Sequence, residues 1–276
     1  CKTSLNKSEI NLLNHHEKIA FENAERVFFP SLGAKQSFQK TKGWTSLEQV
    51  NFNKEALYNT VVDFEVDQRK AEEFLNRHRL EYILDDSKRS SFLVFVTVGD
   101  YTSNKGVDRC PSILKKIAAK TDKKVIWICL GDAHQSGIYE EIKTNSKNYN
   151  FKSVLIPNRL PHSEAMAIVE QSDFLLMMQR HSIFDFSTLE SMKLGKGVIL
   201  SPQGGNLEFN REDNVIFLDP DEELSEENLK NIETKSVECG RQNQNCFNKH
   251  FSPEIFSYNY KKYYKQVIDR HYQEFR

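Results

Sequence analysis

The sequence predicts an α/β protein whose centre is a doubly wound, Rossmann-like parallel sheet, preceded by a mainly helical segment. Two observations support this prediction. From residue 91 onward, short apolar runs alternate six times with helix-like stretches. The runs are continuously apolar, which is typical of strands buried on both faces of a parallel sheet. Regular alternation of strand and helix favours a sheet with helices packed on both sides.

The first two predicted strands each stop at a Gly-Asp pair. The run at 91–98 is followed by Gly99-Asp100, and the run at 124–130 is followed by Gly131-Asp132. Both residue types are common in turns, so the pairs mark strand ends. The remaining strands are predicted at 151–156, 173–178, 197–201 and 214–218, and the helices between strands at 111–120, 137–144, 163–171 and 187–194.

A long helix is predicted at the end of the chain, over 252–273. It starts with Ser252 as N-cap, Pro253 in the first helical position and Glu254 in the first turn, all of which favour a helix start. Tyrosines recur along this segment at helix-like spacing. We expect these aromatic side chains to pack against the rest of the protein.

The first 90 residues contain little predicted strand. A charged, exposed helix is expected after residue 65, and the other elements are a helix at 8–26, a strand at 27–31, a helix at 32–40 and a loop at 85–91. One strand is too little for an independent sheet domain. We therefore predict that 1–90 is the tail of a preceding domain with its connection, and that 91–276 is a separate domain. The chain starts at Cys1 without Met, which favours a piece of a longer protein.

Composition excludes some classes of function. The formal net charge is -1, from 38 basic and 39 acidic residues, whereas proteins that bind nucleic acid usually carry a basic excess. The five cysteines lack the paired spacing of a zinc site, and their odd number favours a reducing, cytoplasmic setting. No run approaches the ~20 apolar residues that a transmembrane helix needs.

The loop after the first predicted strand, 99–106, is a candidate phosphate loop. Gly99 allows close approach of the backbone to a phosphate, and the following helix start offers N–H groups and the positive end of a helix dipole. Lys105 adds a mobile cation. A plain turn explains this short pattern equally well on its own.

The segment 181–205 is more informative. It contains a loop after the fourth strand, the predicted helix 187–194, and Gly204-Gly205 after the next strand. In open α/β sheets ligands bind at the carboxyl ends of the strands, where this helix begins. Glu190, about one turn into the helix, could accept two hydrogen bonds from the diol of a ribose. The glycine pair would give a second close backbone approach to the same crevice.

The same segment resembles the signature of retaining GT-B glycosyltransferases of the GT4-like group. The matching residues, in one register, are Phe184, Leu189, Glu190, Met192, Gly195, Val198 and Ile199. The loop with Gly99 and Lys105 is similar to the phosphate loop of that group. Residues 20–31 resemble the helix and strand that close its acceptor domain. The resemblance covers nearly all of 91–276, and it implies that this part is a GT-B C-terminal, donor-binding domain and that 1–90 is a remnant of the acceptor domain with the interdomain connection.

The resemblance also implies roles for individual residues. Lys105 would bind the diphosphate, and the backbone N–H groups of Phe186, Ser187 and Thr188 would hold the distal phosphate. Glu190 would bind the ribose, and Arg159 would border the base. The complete set of predicted donor-binding residues is Gly99, Arg159, His181, Ser182, Phe186, Ser187, Thr188, Glu190, Gly204 and Gly205, and the predicted catalytic residues are Lys105 and Arg180.

Three departures from the family pattern concern charge. Ser182 stands where the family signature has the first of its two glutamates, the second being Glu190. Asp100 replaces the arginine of the phosphate loop, and Asp185 replaces a glycine. Asp100 would repel a diphosphate, so a second cation must come from elsewhere. We expect Arg180 to supply it, with its side chain directed to the crevice within reach of Lys105.

The function implied by the resemblance is hexosyl transfer from a nucleotide-diphospho-sugar to a glycan or glycolipid, with retention of configuration. No cofactor and no metal are expected. Asp219-Pro220-Asp221 has the form of a metal-binding D-x-D motif, but its proline and position favour a turn. A lipid-linked acceptor would imply peripheral association with the inner face of a membrane.

Two alternatives stay open. One is a non-catalytic nucleotide-sugar-binding or assembly module, which Ser182 and Asp100 favour. The other is a sugar-nucleotide epimerase of GT-B shape. An epimerase needs a residue for proton transfer in the cleft, and the candidates are His162 and His181.

Overall fold

Six parallel strands form a single sheet in the computed structural model, which describes residues 6–42, 55–133 and 137–274. The strands, in chain order, are β1 (Phe92–Val98), β2 (Lys124–Leu130), β3 (Lys152–Ile156), β4 (Phe174–Met177), β5 (Gly197–Leu200) and β6 (Ile216–Phe217). Their order across the sheet is β3-β2-β1-β4-β5-β6, with every neighbouring pair parallel. The prediction of a doubly wound parallel sheet with six strands is confirmed.

Helices surround the sheet and precede it. In chain order they are α1 (Lys7–Asn23), α2 (Leu32–Lys42), α3 (Gln68–Arg77), α4 (Asp86–Arg89), α5 (Cys110–Lys120), α6 (Gly137–Asn145), α7 (His162–Glu170), α8 (Phe186–Lys193), α9 (Glu226–Thr234), α10 (Ser236–His250) and α11 (Pro253–Glu274). The predicted helices between strands and the final helix are confirmed, with ends shifted by at most one residue. The helices α9 and α10 were not predicted.

The core lies on both faces of the sheet. Val94 and Val96 of β1 belong to one buried hydrophobic cluster, and Leu93 and Phe95 belong to another. This division follows from the strand geometry, since successive side chains point to opposite faces. Cys129 is fully buried in β2, as expected for a small core residue, and the free thiols of the described residues are Cys110, Cys129, Cys239 and Cys246. Cys1 lies outside the described residues.

The N-terminal segment differs from its prediction in three places. The strand predicted at 27–31 is reduced to a single bridge residue, Val27. Pro30 has no N–H to give to a sheet, and α2 starts immediately afterwards. The helix expected to be exposed, α3, buries Ala71, Phe74 and Leu75. The loop predicted at 85–91 contains the short helix α4, whose N-cap Asp85 accepts a hydrogen bond from the backbone of Ser87.

The final helix α11 returns to the N-terminal segment. The phenol of Tyr263 donates to Glu55, and its ring centroid lies 5.0 Å from that of Phe28. The expectation that the tyrosines of this helix all pack is wrong. Tyr258, Tyr260 and Tyr264 are 68%, 52% and 58% exposed. Among the helices that the structure describes, none is long and apolar enough to span a membrane.

Candidate functional site

The order of the strands reverses between β1 and β4, so the connections after these two strands leave in opposite directions and open a crevice at their carboxyl ends. The two loops touch through their backbones. Gly106 has a φ of +66°, and a Cβ at this position would lie 1.7 Å from the carbonyl oxygen of Met178. The backbone N–H of Arg180 donates to the carbonyl of Asn104 at 3.0 Å. The predicted phosphate loop and the loop before α8 therefore meet at one place.

Asp185 and Lys105 form an ion pair in this crevice. Asp185 is the N-cap of α8, and its Oδ1 accepts hydrogen bonds from the Ser187 N–H at 3.2 Å and the Ser187 hydroxyl at 2.8 Å. Its Oδ2 accepts from the Lys105 ammonium and, at 2.6 Å, from the Gln179 amide. Burial raises the pKa of Asp185, but Lys105 and Ser187 outweigh this effect and lower it below the usual range. The carboxylate is thus held in its charged form at the helix start.

Glu190 lies one turn further along α8 and pairs with His162, the first residue of α7. Nε2 of the imidazole lies 2.8 Å from Oε1 of the carboxylate. The Glu190 side chain is 15% exposed, and burial raises its pKa although His162 opposes the shift. The His162 ring packs edge-on against Phe64, with centroids 5.2 Å apart. Glu190, the residue predicted to bind the ribose, is therefore held by His162. The sequence suggested that histidine only as a proton-transfer residue of an epimerase.

Arg180 does not turn toward Lys105 as expected. Its guanidinium makes two hydrogen bonds with the carboxylate of Asp108, at 2.8 Å and 2.6 Å, and donates to the Ser103 carbonyl at 2.7 Å. Asp108 lies in a short helical turn directly after the phosphate loop, which brings it close to the loop that follows β4. The proposed charge compensation of a diphosphate by Arg180 is thus not supported, while its catalytic role stays a prediction.

The Arg180–Asp108 pair lines a cavity beside the crevice. Its volume is about 490 Å³, and the surrounding residues come from connections after four different strands: Asp108, Arg109, Ser112, Arg180, Gln203, Pro220 and Asp221. Arg109 lies 3.5 Å from carboxylate oxygens of both Asp219 and Asp221. The two aspartates of the D-x-D sequence therefore share an arginine. Over the described ranges, no cluster of three or more His, Cys, Asp or Glu side chains is arranged to hold a metal ion.

Asp100 has a cationic neighbour that the sequence did not reveal. The Arg159 guanidinium lies 3.4 Å from Asp100 and 3.5 Å from Asp132. These residues follow β1, β2 and β3, so the contact joins three adjacent loops at the carboxyl edge of the sheet. The Arg159 side chain is 73% exposed, and its role at the border of the base stays a prediction.

Gly204 and Gly205 serve close packing of loops. The Gly205 N–H donates to the Ser182 carbonyl at 3.0 Å, and a Cβ at Gly205 would lie 2.3 Å from the carbonyl of Ile183. A Cβ at Gly33 would lie 2.3 Å from the backbone of Gly204. The start of α2 thus packs directly on the loop after β5. The backbones approach too closely for a side chain at Gly33 or Gly205. Only the tertiary structure shows which backbones meet.

The N-terminal segment makes hydrogen bonds with the loops after β4 and β5 that the sequence did not reveal. The Ser31 hydroxyl donates to the Ile183 carbonyl next to the crevice. Glu208, after β5, accepts hydrogen bonds from the N–H groups of Leu32 and Gly33 at 3.0 Å and 2.8 Å, and so caps α2. It also accepts from the Tyr58 hydroxyl at 2.9 Å, and burial together with Glu208 raises the pKa of Tyr58 to about 12.

Five buried polar side-chain atoms in the described residues lack a hydrogen-bond partner: Gln179 Oε1, Ser182 Oγ, Thr188 Oγ1, Ser191 Oγ and Asn206 Oδ1. Buried polar groups in folded proteins are nearly always paired, so these atoms are free to pair with water or with a polar ligand. Of the other predicted donor-binding residues, Phe186 is 52% exposed and His181 is exposed. Gly99 lies against the aliphatic part of Lys105, because a Cβ added to Gly99 would be 3.5 Å from the Lys105 Cδ.

Residues 83–248 match the family model described as glycosyl transferases group 1. A comparison with curated protein sequences gave no match.

Solved structures share the fold. Sucrose-phosphate synthase from Thermosynechococcus elongatus aligns over 98% of this chain and 65% of its own, at 15% identity and a TM-score of 0.67. The Anabaena protein HepE, solved with UDP and glucose, aligns over 95% and 68%, at 13% identity and a TM-score of 0.69. A glycosyltransferase from Rickettsia africae aligns over 96% and 68%, at 13% identity and a TM-score of 0.66. The chain thus spans about two thirds of the length of these proteins.

Proposed function

The chain belongs to the glycosyl transferases group 1 family, and from this membership we propose that it transfers a sugar from a nucleotide-diphospho-sugar to a glycan or glycolipid. We further propose the GT4-like, retaining form of the reaction with a hexosyl donor. The Anabaena protein HepE has also been solved with UDP-glucose, which supports a nucleotide-sugar of this kind as donor.

One arrangement carries the proposal. The phosphate loop with Lys105, the N-terminus of α8 and the Glu190 carboxylate lie in sequence along one crevice at the strand ends. A helix start and an ammonium group bind anions, and a buried carboxylate one turn further along can accept from ribose hydroxyls. This spacing suits a nucleoside diphosphate with its phosphates at the helix start.

The chemistry asked of these residues is electrostatic. In the transfer, the bond between the sugar and the diphosphate oxygen breaks, a bond to the acceptor oxygen forms, and the proton of the acceptor hydroxyl passes to the leaving diphosphate. The leaving diphosphate gains negative charge, which Lys105 and the N–H groups of Ser187 and Thr188 would stabilise in place. Glu190 would orient the donor through one carboxylate oxygen while His162 holds the other.

We propose that residues 1–90 are the end of an acceptor domain and its connection to the donor domain over 91–276. The contacts of Ser31 and Gly33 with the loops after β4 and β5 support this division, because they place the N-terminal segment at the rim of the crevice. An acceptor anchored in lipid would bring the protein to a membrane surface.

The alternative is a non-catalytic nucleotide-sugar-binding module. The observation that favours it is the pairing of Arg180 with Asp108, since this pairing leaves Lys105 as the cation closest to the helix start and Asp185 already neutralises it. A catalyst and such a module share the binding step and differ in turnover.

Thermal shift with UDP-, GDP-, ADP- and CMP-sugars, followed by a product assay with the ligand that binds, tests the proposal. A ligand at a hundred times its dissociation constant stabilises the folded state by about 2.7 kcal/mol. We expect one nucleotide class to raise the melting temperature, in the presence of EDTA as well as without it. Binding without turnover would favour the non-catalytic module. Binding only with added Mg²⁺ or Mn²⁺ would contradict the metal-independent form of the proposal.

A further inference from the structure

The carboxylate of Asp185 makes the contacts that a bound phosphate would make. It receives a backbone N–H and a hydroxyl from Ser187, an amide N–H from Gln179 and the ammonium of Lys105. These donors are the kinds that bind phosphate oxygens at helix N-termini. The side chain is only 13% exposed, so water screens these contacts little.

The neighbouring cations at this edge of the sheet are paired with carboxylates in the same way. Lys105 pairs with Asp185 and Arg180 with Asp108. Arg159 contacts Asp100 and Asp132, and Arg109 contacts Asp219 and Asp221. An incoming diphosphate therefore meets cations whose charge is already compensated by this chain.

From these contacts we infer that Asp185 is an internal anion that occupies the diphosphate site and must be displaced when the donor binds. The inference rests on the proposed function and adds a regulatory element to it. Displacement moves the carboxylate away from Lys105 and Ser187, whose donors then pass to the phosphate. Asp185 thereby lowers donor affinity and keeps the crevice closed to free phosphates.

Unpaired hydroxyls three residues before and three residues after Asp185 support this exchange independently. The hydroxyls of Ser182 and Thr188 are 4% and 0% exposed as residues and lack partners among the residues that the structure covers. Each hydroxyl can donate one hydrogen bond. The loop and helix around Asp185 thus hold donors that its carboxylate does not use, as expected if a larger anion takes its place.

The test replaces the charge and keeps the helix cap. Asparagine and aspartate are comparable N-caps, so Asp185→Asn retains the contact with the Ser187 N–H while removing the negative charge. The full chain is titrated calorimetrically with UDP and, separately, with inorganic pyrophosphate, in EDTA. We expect the dissociation constants of both to fall by about tenfold or more, because a like charge next to an anion is removed.

Two control variants make the result specific. Asp85→Asn changes the N-cap of α4, close to the start of β1 and so at the opposite edge of the sheet, and should leave both dissociation constants unchanged. Lys105→Met, added to Asp185→Asn, should abolish the gain, because the released cation is the one that binds. If Asp185→Asn folds poorly, Asp185→Ser offers a second uncharged cap with the same expected result.

The outcomes separate this inference from the proposed function. If the wild-type protein binds UDP and Asp185→Asn binds neither UDP nor pyrophosphate more tightly, the inference is overturned and the donor site stands. If UDP binds to neither protein but pyrophosphate gains affinity in the variant, the anion exchange stands and the nucleotide-sugar proposal fails. If neither Asp185→Asn nor Asp185→Ser binds pyrophosphate more tightly than the wild type, the inference is overturned.

Discussion

His162 and Glu190 are joined by a contact of 2.8 Å between Nε2 and Oε1, which connects the first residue of α7 to the second turn of α8. It joins two helices that are consecutive around β4, since α7 leads into β4 and α8 follows it. The imidazole thus holds one oxygen of a carboxylate whose side chain is only 15% exposed. One oxygen of Glu190 suffices for this contact, and the other can accept from a ligand.

Glu190→Ala is expected to weaken nucleotide binding by about 1–3 kcal/mol, since it removes a charged acceptor from the ribose. Calorimetric titration with the nucleotide found in the thermal-shift panel measures the loss. Glu227→Ala, at an exposed position in α9, serves as the matched control and should bind like the wild type. Equal affinity of Glu190→Ala and wild type would assign this residue a purely structural role.

The pH dependence of stability should reveal the burial of Glu190. Burial raises its pKa above 4.5, so the folded state holds this proton more tightly than the unfolded state. Stability from this group is then present at acid pH and decreases as pH rises through the raised pKa. Glu190→Gln, which keeps a partner for His162, should therefore have a higher melting temperature than wild type at about pH 8. The difference should shrink towards pH 4.5, and a constant difference would argue against the raised pKa.

Gly106→Ala should destabilise the fold and distort the contact between the loops after β1 and β4. The added Cβ would lie 1.7 Å from the Met178 carbonyl, and the φ of +66° is unfavourable for alanine. The strained backbone alone costs about 1–3 kcal/mol. Chemical denaturation measures the change. The control is Gly137→Ala at the start of α6, where no atom lies within 4 Å of the added Cβ and stability should be kept or raised.

Arg180→Met tests whether this residue serves structure or the donor. Because its guanidinium is held by Asp108, we expect a stability loss of about 1 kcal/mol and little change in nucleotide affinity. A double-mutant cycle with Asp108→Asn, followed by denaturation, isolates the pair energy. A tenfold loss of affinity without a loss of stability would return Arg180 to the donor site, as the sequence suggested.

The sequence was sufficient to predict the fold because strands buried within a parallel sheet are continuously apolar, and the first two of them stop at Gly99 and Gly131. The six strands and the helices between them follow from this local signal. Helix α10 was missed since it is mostly polar, and its buried face of Cys239, Asn243, Cys246 and Phe247 is recognisable only once it packs on α8 and β5. The prediction of a strand at 27–31 was wrong because a local apolar run does not show whether a neighbouring strand is present to pair with it.

Individual residues of the candidate site were predictable to the extent that they sit at strand ends and in a family-like segment. Which charges meet was decided by the tertiary structure alone. Lys105 and Asp185 are 80 residues apart in the chain, and Arg180 and Asp108 are 72 apart. The reversal of strand order between β1 and β4 brings their loops together, and each cation then pairs with the nearest carboxylate in space. Local sequence fixes the residue types at such an edge, whereas ion pairing depends on distance between loops that only the folded sheet defines.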